Sequence, residues 1–201
     1  MRTVTALFDS YDHATSAVRS LAAYGVAAAD VSLVANNVSG DIETPGAEDG
    51  AAAGAGVGLV AGGGAGLLAG LGALAIPGIG PVIAGGWLLA TAVGALAGAA
   101  VGGAAGGLVG ALANAGVPEA DAHVYAEGVR RGGTLLSVRA ADDHAEAVAD
   151  ILHRAEGVDI DARRADYLTE GWTGFDEDAT ALAEEHIRDY RSSYGLLPPI
   201  V

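Results

Sequence analysis

Hydrophobic and polar residues alternate with period two at the start of the chain and then shift to a helical period. Val4, Ala6 and Phe8 alternate with Thr3, Thr5 and Leu7, which predicts a strand. Asp9 and Ser10 follow as N-cap candidates, and Ala14, Ala17, Val18 and Leu21 recur at the spacing of one helix face. Gly25 stands where a C-cap glycine belongs. Val31 and Leu33 alternate with Ser32 and Val34 to give a second strand. Asn36, Asn37 and Gly40 then read as turn, and residues 41–50 as an acidic linker.

The same grammar returns near the other end of the chain. Pro118 suits the first position of a helix, Glu119 and Asp121 complement its dipole, and Ala122, Tyr125, Ala126 and Val129 form its apolar face up to Gly132 and Gly133. Residues 134–139 predict a strand. Asp142 and Asp143 precede a helix with Ala145, Val148, Ala149 and Leu152 inward, ended by Gly157. Val158, Ile160 and Ala162 alternate with Asp159, Asp161 and Arg163, the pattern of a half-buried strand. Two strand-helix-strand units result. This order predicts an α+β fold: a ferredoxin-like sandwich, split between its second and third strands, with one sheet face open. A C-terminal helix is expected over residues 177–190, with Ala179, Leu182, Ala183 and Ile187 as its thin apolar set, before a short apolar tail.

What splits the two halves carries no charge at all, from Gly50 to Pro118. Such a run exceeds what a soluble core helix needs and is long enough for two membrane-length helices. Ile76-Pro77-Gly78-Ile79-Gly80-Pro81 interrupts it, since neither proline nor paired glycines continue a helix, so two helical arms over 51–75 and 86–113 are expected. Glycines recur every four residues in both arms, at Gly54, Gly58, Gly62, Gly66 and Gly70, and at Gly94, Gly98, Gly102, Gly106 and Gly110. Folded antiparallel about Val82, the two stripes face one another pair by pair. Small residues at this spacing allow close backbone approach. They cost the isolated helices on the order of 10 kcal/mol relative to alanine, so packing or lipid must supply the difference.

The domain organisation that follows is a first half-domain over 1–40, the acidic linker over 41–50, and the Gly/Ala hairpin over 51–113. A connecting helix and second half-domain occupy 117–167, and an aromatic motif, helix and tail fill 168–201. Trp172 and Phe175 in the last part either pack the tail onto the domain or dock a protein partner.

Composition narrows the function. The net charge is −15, every base is Arg, and there is no Cys. An acidic surface repels phosphate backbones, which argues against nucleic acid, and cysteine-based metal, redox or nucleophile chemistry is excluded. His13, His123, His144, His153 and His186 are too scattered to form a ligand pair on one helix face, so no metal is expected. Gly64-Ala65-Gly66-Leu67-Leu68-Ala69 matches a dinucleotide-binding pattern in letters only, because it follows no strand and has no acid about 20 residues on; no cofactor is expected. Asp9, Asp142, Asp143, Asp159 and Asp161 read as caps and solvated faces, with no catalytic constellation around them. Arg130-Arg131 and Arg163-Arg164 are expected to pair with the abundant acids. The first ten residues lack the apolar core of a signal peptide, which places the start of the chain in the cytoplasm.

Two segments, Gly128-Val129-Arg130-Arg131-Gly132-Gly133-Thr134-Leu135-Leu136-Ser137-Val138-Arg139 and Gly171-Trp172-Thr173-Gly174-Phe175, together with the split arrangement, resemble the bacterial general stress proteins of the YflT type. The likeness covers nearly the whole chain. It implies a stress-linked protein with no catalytic residue to carry over. The expected function is therefore non-enzymatic: association with a lipid bilayer, or with further copies of the chain, through the glycine stripes. The expected place is the cytoplasmic face of the inner membrane, or the cytoplasm as a large assembly. The alternatives are a soluble scaffold with hairpins as its shared core, and a regulatory module binding a ligand on the open sheet face.

Overall fold

The computed structural model describes residues 1–42, 71–88 and 107–194. Among them are five strands, β1 (Arg2–Phe8), β2 (Val31–Asn36), β3 (Gly72–Ile76), β4 (Gly80–Gly86) and β5 (Thr134–Ala140). Six helices accompany these: α1 (Tyr11–Tyr24), α2 (Gly107–Asn114), α3 (Glu119–Arg130), α4 (Ala145–Arg154), α5 (Ile160–Thr169) and α6 (Glu184–Ser193). The fold is α+β, and its strands form one sheet in the order β1-β5-β2-β4-β3, with every neighbouring pair antiparallel. β1 and β2 therefore run parallel on either side of β5, joined by α1. That helix starts at Ser10, whose hydroxyl accepts the Asp12 N–H at 3.1 Å, and stops at Gly25 in the left-handed conformation, φ 103°.

Helices cover both faces of the sheet. On one face Phe8, Leu33, Leu136 and Val138 pack against Ala14, Ala17, Val18 and Leu21 of α1 and Val148 and Leu152 of α4. On the other, Leu7, Val34, Val82 and Leu135 meet Leu108 and Leu112 of α2 and Ala122, Tyr125 and Val129 of α3. Burial on both sides explains why β2 is buried along its whole length, with Ser32 satisfied by donating to the Gly85 carbonyl at 2.9 Å. The face expected to be open is thus occupied by α2 and α3.

The centre of the charge-free run departs from the helical hairpin expected there. Residues 72–76 and 80–86 are strands, and Pro77, Gly78 and Ile79 turn between them, with Gly78 at φ 73° and Gly80 at φ 97°. Val82, the expected pivot of two helices, lies opposite Asn36 in the β2–β4 ladder. The prolines and glycines that end a helix also suit a tight hairpin turn, and the Val82-Ile83 pair finds a ready edge beside β2, where both side chains are buried. Gly86, at φ 96°, passes so close to Val31 and Ser32 that a side chain would overlap their backbone. Nine of the ten stripe glycines lie outside the described residues; Gly110 is buried within α2.

A second departure is at residues 158–163, where the expected strand is the start of a helix. Val158 donates one backbone hydrogen bond to Leu7 of β1, at 2.8 Å, and the chain then turns away. The Asp159 carboxylate accepts the N–H groups of Asp161 and Ala162, at 3.0 and 3.1 Å, capping α5. This local side-chain cap outcompetes ladder pairing, because three apolar residues on one face bury too little to hold an edge strand. The C-terminal helix also begins later than expected, at Glu184, with Asp176 turning the chain before it by accepting the Asp178 N–H at 2.9 Å.

Candidate functional site

Where α3 ends and β5 begins, the Gly128–Gly133 stretch gathers buried charge. Gly132 adopts φ 102°, which lets Arg131 turn back along α3. Its Nε bonds the Glu127 carboxylate at 2.7 Å, and its Nη1 pairs with Glu170 beyond the end of α5. The guanidinium lies 4.0 Å from the centre of the Tyr167 ring and 4.5 Å from that of Tyr190 on α6. Glu127, 2% exposed, also takes Arg130 at 3.3 Å. Arg130 in turn donates to the carbonyls of Gly78 in the β3–β4 turn and Thr180, at 3.1 and 3.3 Å.

Beside this group, Arg163 in the first turn of α5 forks onto both oxygens of Asp9, at 2.8 and 2.7 Å, and stacks under Tyr194 at 3.8 Å. Arg191 of α6 gives its Nε and Nη2 to the Gly132 carbonyl, at 3.3 and 3.0 Å. Burial by itself would lower the pKa of Arg131 and Arg163, but hydrogen bonds to Glu127 and Glu170, and to Asp9, more than offset it and raise both. Arg191 bonds no carboxylate among the described residues; burial lowers it, countered by the field of Asp41. Desolvation pushes the Tyr167 phenol up against the opposing pull of Arg163 and Arg131.

These contacts fasten α5 and α6 to α3 and to the end of β1. Truncating one partner of such a pair leaves a buried charge, which costs several kcal/mol and makes the cluster a brace. The small, partly open space between Asp9, Arg131, Arg163, Arg191 and Tyr194 is about 10 Å³, room for one water-sized occupant and no organic substrate. A larger groove of about 160 Å³ runs along the β1 edge beside Val4, Ala6, Tyr125, Leu152, Val158 and Ile160. Tyr125 lines it and donates its hydroxyl to the Thr5 carbonyl at 3.0 Å. Among the described residues no group of acids and histidines is placed to hold a metal ion.

Both arginine pairs meet acids, as expected from composition: Arg164 joins Asp161 at 2.7 Å and also Asp121. Asp9 is not the helix cap, a role Ser10 takes, but the counter-charge of Arg163. Phe175 is 7% exposed and packs within the core, and its N–H donates to His123 Nδ1 at 3.2 Å. Trp172 is half-buried, edge-on to Tyr167 with ring centres 5.7 Å apart. His13 and Glu156 approach at 3.5 Å, and His144 Nδ1 bonds the Tyr24 hydroxyl at 2.8 Å, both exposed. The one cue to the aromatic part of the brace was the i, i+4 spacing of Tyr190 and Tyr194.

No protein-family model matches the chain, and neither the curated proteins nor the solved structures yield a match. Among the described residues no helix is long and apolar enough to cross a membrane.

Proposed function

We propose that the chain is a non-enzymatic protein of the general-stress type that acts by association, with other copies of itself or with a bilayer, through residues 50–70 and 89–106. The observation that carries this reading is how those uncharged segments are rooted. The first follows the acidic residues 43–49, which come after β2 and the Asn37–Ile42 bonds, and is followed by buried Leu71. The second leaves after buried Leu88 and returns at buried Gly107. Both segments flank the β3–β4 hairpin in sequence and bring no charge that would oppose burial between copies or in lipid. The stripe glycines supply the small-residue spacing for such contacts.

A ferredoxin-like reading of the domain presenting them is supported by the chain order and pairing of β1, α1, β2, β5 and α4. Its fourth strand is reduced to the single Val158–Leu7 bond, and the connection from β2 to β5 is expanded by β3, β4, α2 and α3. Detergent-free fractionation of the full chain tests the function. A discrete species larger than a monomer, or a pellet released only by detergent, supports it; a monodisperse monomer in plain buffer refutes it.

A ligand-binding role finds support in the groove beside β1, now that the sheet face is covered. Saturable thermal shifts of the full chain with a metabolite panel, lost in Ala6→Trp, would establish it. A silent panel would leave association as the sole function.

A further inference from the structure

We propose that the small cavity at the end of α3 is a binding site for one monatomic anion of halide size, held chiefly by Arg191 together with Arg131 and Arg163. The charge balance points there. Among the described residues, Arg130, Arg131, Arg163 and Arg191 gather around Asp9, Glu127 and Glu170, so four guanidiniums meet three carboxylates in direct contact and one guanidinium is in excess. Arg163 is matched by Asp9, and Arg130 and Arg131 by Glu127 and Glu170. The excess therefore sits on Arg191, whose hydrogen-bond partner among the described residues is the neutral Gly132 carbonyl. Asp41 feels Arg191 only through its field and is itself exposed, where water screens it.

The cavity is lined by Arg191, Arg131 and Arg163, by Gly128, Gly132 and Gly133, by Tyr194, and by Asp9, whose carboxylate is already engaged by both Nη atoms of Arg163. An uncompensated guanidinium removed from water favours a nearby anion far more than one in solvent does. The size of the space then selects among anions. A volume of about 10 Å³ admits one water-sized sphere, whereas a tetrahedral phosphate or sulfate has five heavy atoms to place. A seated halide would tie α6, through Arg191 and Tyr194, to the α3–β5 turn.

The test compares the full chain in sodium chloride, sodium bromide, sodium sulfate and sodium gluconate at equal ionic strength and equal protein concentration. Chloride and bromide at about ten times the dissociation constant should raise Tm by about 3–6 °C over gluconate, with sulfate resembling gluconate. The ³⁵Cl resonance of chloride should broaden with the wild-type chain and narrow when bromide competes. Arg191→Gln should remove the halide increment and most of the broadening, whatever its own Tm. The ³⁵Cl comparison in the wild type needs no variant, so a poorly folded Arg191→Gln would not hide the site. Equal Tm in chloride and gluconate without broadening, or broadening undiminished in folded Arg191→Gln, would overturn the assignment and leave water as the occupant.

Discussion

Breaking the Arg163–Asp9 pair should destabilise the chain more than any exposed ion pair can, and by an amount the structure lets one work out. The Arg163 side chain is 7% exposed and that of Asp9 21%, and two parallel hydrogen bonds of 2.8 and 2.7 Å join them. Removing one partner of a buried pair costs about 3–5 kcal/mol, because the survivor keeps its charge without its hydration. In Arg163→Met the stranded Asp9 retains some contact with water, which places the cost near the lower bound. Loss of the stack under Tyr194 adds about 0.5–1 kcal/mol. The reciprocal Asp9→Asn strands the more deeply buried guanidinium and should cost about 3–4 kcal/mol. The double variant removes both charges, so it should cost less than the sum of the single changes, with a coupling of about 2 kcal/mol. Arg163→Lys should fall between, since an ammonium keeps the charge but loses the planar fork and the stack. Urea unfolding followed by far-UV circular dichroism, at one fixed protein concentration, measures each value. A coupling below about 0.5 kcal/mol would refute the brace and reduce the pair to a surface contact.

Other expectations follow from single positions. Gly132→Ala places a methyl 2.5 Å from Ile187 Cγ2 on a backbone at φ 102°, so it should displace α6 and speed proteolysis between residues 176 and 194; an unchanged digestion rate would contradict this. Burial, aided by Asp121, pushes the Tyr125 phenol from 10.0 to about 12, which favours the neutral form in the fold. Stability from this group is therefore full below pH 10 and lost as pH rises toward 12, by about 2–3 kcal/mol. Tyr125→Phe should flatten that alkaline decline while costing about 1 kcal/mol at neutral pH for the bond to Thr5; an unaltered alkaline limb in the urea-unfolding series would count against it. Gly62→Leu and Gly102→Leu should each disrupt assembly or pelleting, and unchanged fractionation of both would remove the glycine stripes from the mechanism.

Much of the architecture could be read locally because local cues agreed with one another. In α1 the cap at Ser10, the apolar face at Ala14, Ala17, Val18 and Leu21, and the stop at Gly25 all point the same way. The strand at 134–140 and the helices on either side of it were equally legible, as was the pairing of the arginines with acids. The charge-free centre was not legible. Its prolines and glycines exclude a helix at 76–81, but they do not say whether the flanking residues continue as helices or pair as strands. The edge of β2 decided that, by offering residues 82–86 a ladder of hydrogen bonds.

Residues 158–163 show the opposite error. Their period-two pattern was real, yet the Asp159 cap and the distant carboxylates of Asp9 and Asp121 drew Arg163 and Arg164 into a helix. The candidate site was visible only as separate letters: two arginine pairs, an acid after the first strand, and two tyrosines one turn apart. Sequence alone determined that the buried cations would be arginines, that acids would outnumber them, and that glycine would end the helix beside them. Which acid meets which arginine, and that Arg191 pairs with none among the described residues, depended on bringing residues 9, 127, 170 and 191 together from four parts of the chain. Only tertiary packing makes such choices, because the energy of an ion pair depends on distance and on the water excluded around it, and neither is written in local sequence.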